Sequence, residues 1–245
     1  MTNQKPFTIT VITLFPEMFP GPLALSIPGR GLKNHYWALK TIQMRDFGVG
    51  KHRQVDDTPY GGGVGMVIRP DVVDDAIMCA LSFYECHPPI IYLSPKGVPL
   101  VQERLHDWLP SKCDGMIFLC GRYEGIDQRV IDCWRKYPNW HEVSVGDYVL
   151  SGGDLAAMVI IDAVVRLIPG VLVKQDATTI ETFGQNLLEF PHYTKPRVWK
   201  SVEVPNILCC GDHGKIDTWR HEQSLLETQS NRPDLWLKYK KKEKT

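Results

Sequence analysis

Four glycine-bearing segments hold the groups best suited to gripping a small ligand. They are His52–Met66 (HRQVDDTPYGGGVGM), Ser94–Gly97 (SPKG), Cys120–Asp127 (CGRYEGID) and Val145–Asp154 (VGDYVLSGGD). Glycine lets backbone approach a ligand closely because no Cβ stands in the way. The second and third segments directly follow short apolar runs that read as strands, and in an open α/β sheet ligands bind beyond the carboxyl ends of the strands. The familiar phosphate chemistries fail on spacing. A P-loop needs Gly-Lys-Ser/Thr, whereas Gly65 is followed by Met66 and Val67. The dinucleotide fingerprint, counted from Gly63 and Gly65, needs a third glycine where Ile68 stands. No Gly-x-Ser-x-Gly elbow surrounds Ser151. No cysteine has an arginine six places on, and no two of the eight histidines sit at metal-ligand spacing. What remains is a ligand held mainly through backbone hydrogen bonds. An adenosine moiety without a polyphosphate fits that description.

The elements that must position these loops alternate between two periods. Ile9, Val11 and Ile12 through Phe15 read as a strand stopped by Pro16. Ile90–Ser94 and Met116–Cys120 are continuous apolar runs bounded by Pro and Gly, as expected of strands buried on both faces of a parallel sheet. Val72, Val73, Ala76, Ile77, Ala80 and Leu81 recur at helical spacing after Pro70-Asp71, a start signal. Leu100, Val101, Arg104, Leu105 and Trp108 form a second helical stripe ended by Pro110. This alternation predicts an α/β layer architecture. Leu155 to Leu167 reads as a helix apolar nearly all round, hence buried in the core or against a partner subunit.

The chain of 245 residues suits one large domain with a smaller partner, and charge marks the border. Residues 1–172 form the expected first domain and the polar stretch 173–181 reads as a flexible linker. Residues 182–245 form a second domain with a helical candidate at Lys215–Glu227. That last part carries eleven Lys or Arg against eight acidic residues, interleaved with aromatics, while the whole chain has zero formal charge. Zero net charge argues against a histone-like coating of nucleic acid and leaves room for a local basic patch that grips RNA. The last eight residues hold five lysines and read as a solvated, frayed end. Seven cysteines, an odd number without a Cys-x-x-Cys pair, suggest neither a disulfide framework nor a structural zinc site. They read mostly as small core residues in a reducing compartment. The longest apolar stretch contains Asp162 and Arg166 and is too short to span a bilayer, and the polar N-terminus does not read as a signal peptide.

These segments, together with LFPEMF (14–19), IYLSPKG (91–97), RLIPGVL (166–172), LLEFPHYTKP (187–196), WRHEQSL (219–225) and RPDL (232–235), closely resemble the bacterial tRNA (guanine-N1)-methyltransferases. The matches run nearly end to end, in the family's order. The resemblance implies a SPOUT-type parallel sheet with a deep trefoil knot, a topology that general rules make very improbable. It also implies a small, mostly helical C-terminal domain that helps hold tRNA. The implied cofactor is S-adenosylmethionine, cradled by Tyr92, Leu93, Ser94, Pro95, Gly121, Val145, Gly146, Tyr148, Leu150, Gly152 and Gly153. The family further implies dependence on magnesium, a cytoplasmic homodimer with its active site between subunits, and guanine at tRNA position 37 as the target.

For catalysis the resemblance points to Glu124, Arg166 and Glu181. Read without it, Glu124 is an acid at a helix N-terminus and Arg166 an ion-pair partner of Asp162 at i, i+4 spacing. Two positions depart from the family. Its proposed base is an Asp where this chain has Glu181, which leaves Asp176 as an alternative carboxylate. Ala156 stands where relatives carry Pro. Chemically, guanine N1 holds a proton at neutral pH, so a carboxylate must take it, and a guanidinium suits the charge that develops on O6. The alternatives are a SPOUT methyltransferase acting on another RNA atom and a non-catalytic RNA-binding dimer.

Overall fold

The computed structural model describes residues 5–172, 183 and 186–242. Glu181, Asp176 and the expected linker 173–181 lie outside the described residues, as do Thr182 and the last three residues. The chain divides into two compact units, Met1–Val173 and Lys174–Thr245.

The first unit is a parallel sheet with helices on its faces. Its elements are β1 (Phe7–Thr13), α1 (Ser26–Lys33), β2 (Trp37–Gln43), the two-residue strands β3 (Asp56–Asp57) and β4 (Val67–Ile68), α2 (Pro70–Leu81), β5 (Ile90–Pro99), the single turn α3 (Gln102–Leu105), β6 (Gly115–Cys120), α4 (Gln128–Trp134), β7 (Trp140–Ser144) and α5 (Gly153–Leu167). The main sheet runs β2-β1-β6-β5-β7, with every pairing parallel. β6 is wholly buried, and β1 is buried at all but one residue. β6 is an unbroken apolar run, as a strand covered on both faces requires, whereas β1 (FTITVIT) places threonines among its apolar residues, the buried Thr10 and Thr13 hydroxyls being bonded to Tyr84 and Asp154. One layer packs Ile9, Val11, Phe118 and Ile91 against α5. The other packs Ile12, Ile117, Ile90 and Leu119 against α2 and α4. β6 lies between β1 and β5 while β7 takes the far side of β5, so the crossover from β5 to β6 runs one way along the sheet and the next, from β6 to β7, runs back past β5. Such a switch point opens a crevice at the carboxyl ends of the strands.

The second unit holds a tight hairpin, β8 (Val198–Trp199) with β9 (Val202–Glu203), then α6 (His213–Asn231) and α7 (Pro233–Lys242). Asp212 caps α6, its carboxylate accepting from the Lys215 backbone N–H at 3.2 Å.

Several expectations change. The stripe Leu100–Trp108 is one α-helical turn followed by a 3-10 turn at His106–Trp108, because Leu105 and Trp108 alone are fully buried there. Within one chain α5 is buried on one side, with Ile160, Ile161 and Val164 fully buried and Leu155 and Val159 about half exposed, which leaves the expected burial against a partner subunit open. The lysine-rich end is helical through Lys242, with the ring of Trp236 stacked on Tyr239 at 5.7 Å and Lys240 over Trp236. Its lysines also complement the negative end of the helix dipole. The cysteines are not mostly core: Cys120 is buried, Cys79 and Cys113 are half-buried, and Cys86, Cys133, Cys209 and Cys210 are exposed. Burial raises the Cys120 thiol well above its ordinary range. A thiol reagent at neutral pH should therefore label Cys133, Cys209 and Cys210 in the native protein, and Cys120 only after unfolding, as peptide mapping would show.

Candidate active site

Three loops leave the carboxyl ends of β5, β6 and β7 and enclose a cavity of about 370 Å³. The first departs within β5 itself. Its pairing with β7 jumps from Leu93 to Val98, so Ser94–Gly97 bulges off the ladder. Ser94 Oγ accepts from the Lys96 backbone N–H at 3.1 Å and fixes the bend. The second loop, Gly121–Asp127, is stitched to the β3–β4 hairpin. Glu124 N–H donates to Met66 O at 3.0 Å, Ile68 N–H to Gly125 O at 2.9 Å, and Asp127 N–H to Ile68 O at 3.0 Å. The third, Val145–Gly152, leads into α5, where Gly153 N–H donates to Gly121 O at 2.9 Å.

Glycine is required where these loops cross. A Cβ on Gly153 would stand 2.9 Å from Cys120 Cα and 3.2 Å from Leu93 Cβ, both parts of the packed sheet. Gly152 lies directly against the Arg122 side chain. At Gly146, φ is +150° and a Cβ would strike the Tyr148 ring.

A buried ion pair locks the second and third loops together. Asp154, in the first turn of α5, is fully buried. Its carboxylate accepts from Arg122 Nε at 2.8 Å and Nη2 at 2.7 Å, and from the Thr13 hydroxyl at the end of β1. Arg122 Nη1 also donates to Ser151 O at 3.2 Å, and the guanidinium lies 4.5 Å from the Phe15 ring centroid. Across the cavity, Arg135 pairs with Glu142 at 2.8 Å. The two arginines of the lining are thus committed to carboxylates, leaving Lys96 as its unpaired cation among the described residues. Tyr92 forms the floor, its hydroxyl pushed up to about 12 by burial and by the nearby Glu142 charge. It remains a neutral phenol at physiological pH.

The structure brings together Tyr92, Leu93, Ser94, Pro95, Gly121, Val145, Gly146, Tyr148, Leu150, Gly152 and Gly153, and all of them line this cavity. Glu124 joins them at its mouth, exposed. Arg166 does not. It sits half-buried in the last turn of α5, thirteen residues beyond Gly153, which at 1.5 Å per residue is about 20 Å away. Glu181 lies outside the described residues. Sequence reading missed Arg122, Asp154 and Thr13. The only signal was two opposite charges in separate glycine loops, and spacing cannot pair groups that lie 32 positions apart.

The family model described as tRNA (Guanine-1)-methyltransferase TrmD matches residues 7–238. The chain belongs to this family. It is 49% identical over 236 residues to a tRNA (guanine-N(1)-)-methyltransferase of Ruegeria sp. (strain TM1040), covering 96% of this chain and 94% of the relative. A relative of that name from Roseobacter denitrificans is 50% identical over 226 residues, covering 92% and 91%. One from Brucella ovis is 48% identical over 233 residues, covering 95% and 92%. As a TrmD-family member the chain is an enzyme, and its five-stranded parallel α/β unit carries the cavity described above. Among the described residues no helix is long and apolar enough to cross a membrane.

The ion pair yields a stability prediction. Arg122→Ala leaves Asp154 buried without its partner, which costs about 3–5 kcal/mol. Arg122→Lys retains the charge but loses the forked geometry, so it should fall between the variant and wild type. Urea denaturation of the purified variants measures both.

Proposed function

We propose that this protein transfers a methyl group from S-adenosylmethionine to N1 of the guanine at tRNA position 37, working in the cytoplasm as a homodimer. The observation that carries the reading is the cavity: glycine-walled, set at the switch point of a parallel sheet, and with its two arginines already neutralised. That lining suits an uncharged adenosine better than a polyphosphate. The residues that would hold the cofactor are those brought together at the cavity, with Tyr92, Leu93 and Leu150 as apolar surface and the three loops as backbone donors. When bound, S-adenosylmethionine supplies an electrophilic methyl on a sulfonium. The crossing of 121–122 by 152–153 supports the knotted SPOUT topology that the resemblance implies.

The remaining chemistry falls to this chain's own groups. Glu181 takes the N1 proton so that the nitrogen lone pair is free to attack. Arg166 faces O6 and stabilises the charge that develops there. Glu124, at the cavity mouth, stands near the reacting atoms. Because Arg166 is about 20 Å along α5 from the cavity rim, a second copy of the chain must supply it to the site. The half-exposed apolar residues Leu155 and Val159 on that helix support such pairing. The three loops contribute positioning, which can lower a barrier by several kcal/mol.

A target base stacked in the anticodon loop must be turned out of its stack to reach the cavity. In the second unit several basic side chains lie over aromatic rings: Lys200 over Trp199, Arg220 over Phe190 and Arg232 over Phe183. We assign it the grip on the tRNA backbone. The family's magnesium requirement carries over as an expectation. Among the described residues no group of three or more His, Cys, Asp or Glu could hold an ion, and no step here runs through one.

Labelled methyl should pass from S-adenosylmethionine to a tRNA transcript with guanine at position 37 and not to one with adenine there. Absence of label on either, with cofactor binding intact by calorimetry, would favour another RNA target. Glu181→Gln and Arg166→Ala should each lower turnover by about 100-fold or more at saturating cofactor, the first as loss of a general base and the second as loss of charge stabilisation at O6. Affinity for tRNA should fall steeply as salt is raised, since phosphate contacts release counterions. A flat response would remove the electrostatic part of the account.

A further inference from the structure

Tyr60 is the most exposed large hydrophobic side chain among the described residues, at 98%, and Val64 on the same loop is 93% exposed. Between and beside them lie Gly61, Gly62, Gly63 and Gly65, all with positive φ, a region that other residues enter only with strain. A Cβ at Gly61 or Gly62 would meet nothing within 4 Å, so the tip of the loop stands clear of the body. Its root is fixed. Met66 and Ile68 are hydrogen-bonded to the Gly121–Asp127 loop, and Gly65 packs so tightly on Glu124 that a Cβ there would lie 2.5 Å from its Oε1. An aromatic ring is thus held in water, on an unhindered backbone, in a loop whose root packs on the carboxylate at the cavity mouth.

Resting on the methyl-transfer reading, we propose that Tyr60 is the stacking partner of the extruded target purine and positions that base over the cavity. A base turned out of its stack loses both faces to water, and an aromatic side chain restores one of them. The glycine loop suits this task because its tip has no packing of its own to break when the ring moves onto the base. Val64, on the same loop, supplies a second apolar surface. Tyr60 moves no proton in this scheme; its ring face does the work, so a phenylalanine should serve equally.

The test compares the full-length wild type with Tyr60→Phe and Tyr60→Ala. Methyl transfer to the position-37 guanine transcript, cofactor affinity by calorimetry and oligomeric state by sedimentation are measured on each. Tyr60→Phe should keep kcat/KM for tRNA within about 2-fold, and Tyr60→Ala should lose about 10- to 100-fold, the span expected for one base–aromatic stack. Cofactor affinity and oligomeric state should not change in either. Wild-type transfer with Tyr60→Ala behaving like wild type overturns the stacking role alone. A shift in subunit association in Tyr60→Ala overturns it in favour of a contact with a second copy of this chain, and weakened cofactor binding in favour of a cavity-wall role. Loss of the Phe variant along with the Ala variant overturns the ring-face argument. Failure of the wild type to label any tRNA overturns the methyl-transfer reading and the stacking role with it.

Discussion

The Arg122–Asp154 ion pair is the constraint on which the rest of the site depends. It joins three segments far apart in sequence: the end of β1 through Thr13, the loop after β6 through Arg122, and the first turn of α5 through Asp154. Burying a carboxylate is expensive unless it is paired and hydrogen-bonded. Here the cost is offset by two guanidinium donors and a hydroxyl on one side chain. Once those bonds are made, Gly152 is pressed against Arg122 and Gly153 against Cys120, so two walls of the cavity have one arrangement open to them. Because Arg122 is spent on Asp154, the lining presents backbone and apolar surface rather than a free guanidinium. Fold stability and ligand chemistry are set by the same contact.

Charge separates the labour of the two units. The unit with the cavity carries excess acid, and the smaller unit carries excess base in the company of exposed aromatics. A cavity for a neutral adenosine has no need of surrounding cations, whereas RNA backbone does. On the proposed reading, the excess of base in the smaller unit suits a phosphate backbone, while the cavity's own arginines are neutralised by Asp154 and Glu142.

Much of this was legible in the sequence, for physical reasons. Ile90–Ser94 and Met116–Cys120 are strands because continuous apolar runs of that length between Pro and Gly have few other solutions, and Pro70-Asp71 opens a helix because proline suits its first turn. The glycine loops could be assigned to strand ends from the same pattern. β2 and β7 were not visible. β2 is an edge strand with two exposed residues, Lys40 and Thr41, and β7 contains His141 and Glu142, so neither shows the apolar run of a central strand. The ion pair was invisible because its members meet only through the topology. The C-terminal lysines are exposed, as their run suggests, but the described ones sit on a helix held by buried Leu235 and by Trp236 stacked on Tyr239, which a run of lysines does not reveal. The cysteines were misread because a residue inside an apolar run can still sit at its surface edge, as Cys79 does at the end of α2.

The order of strands also governs how this chain can be made. β1 is synthesised first yet lies between β2 and β6, with Thr8 opposite Gly115. At ribosomal rates of about 5–20 residues per second, its second neighbour emerges roughly 5–20 s after β1 itself. Until then a seven-residue strand destined for burial on both faces has one edge and much of its surface uncovered. Asp154, which accepts the Thr13 hydroxyl at the end of that strand, arrives later still. The exposure of that strand is therefore concentrated in the chain's first seconds rather than in its finished form.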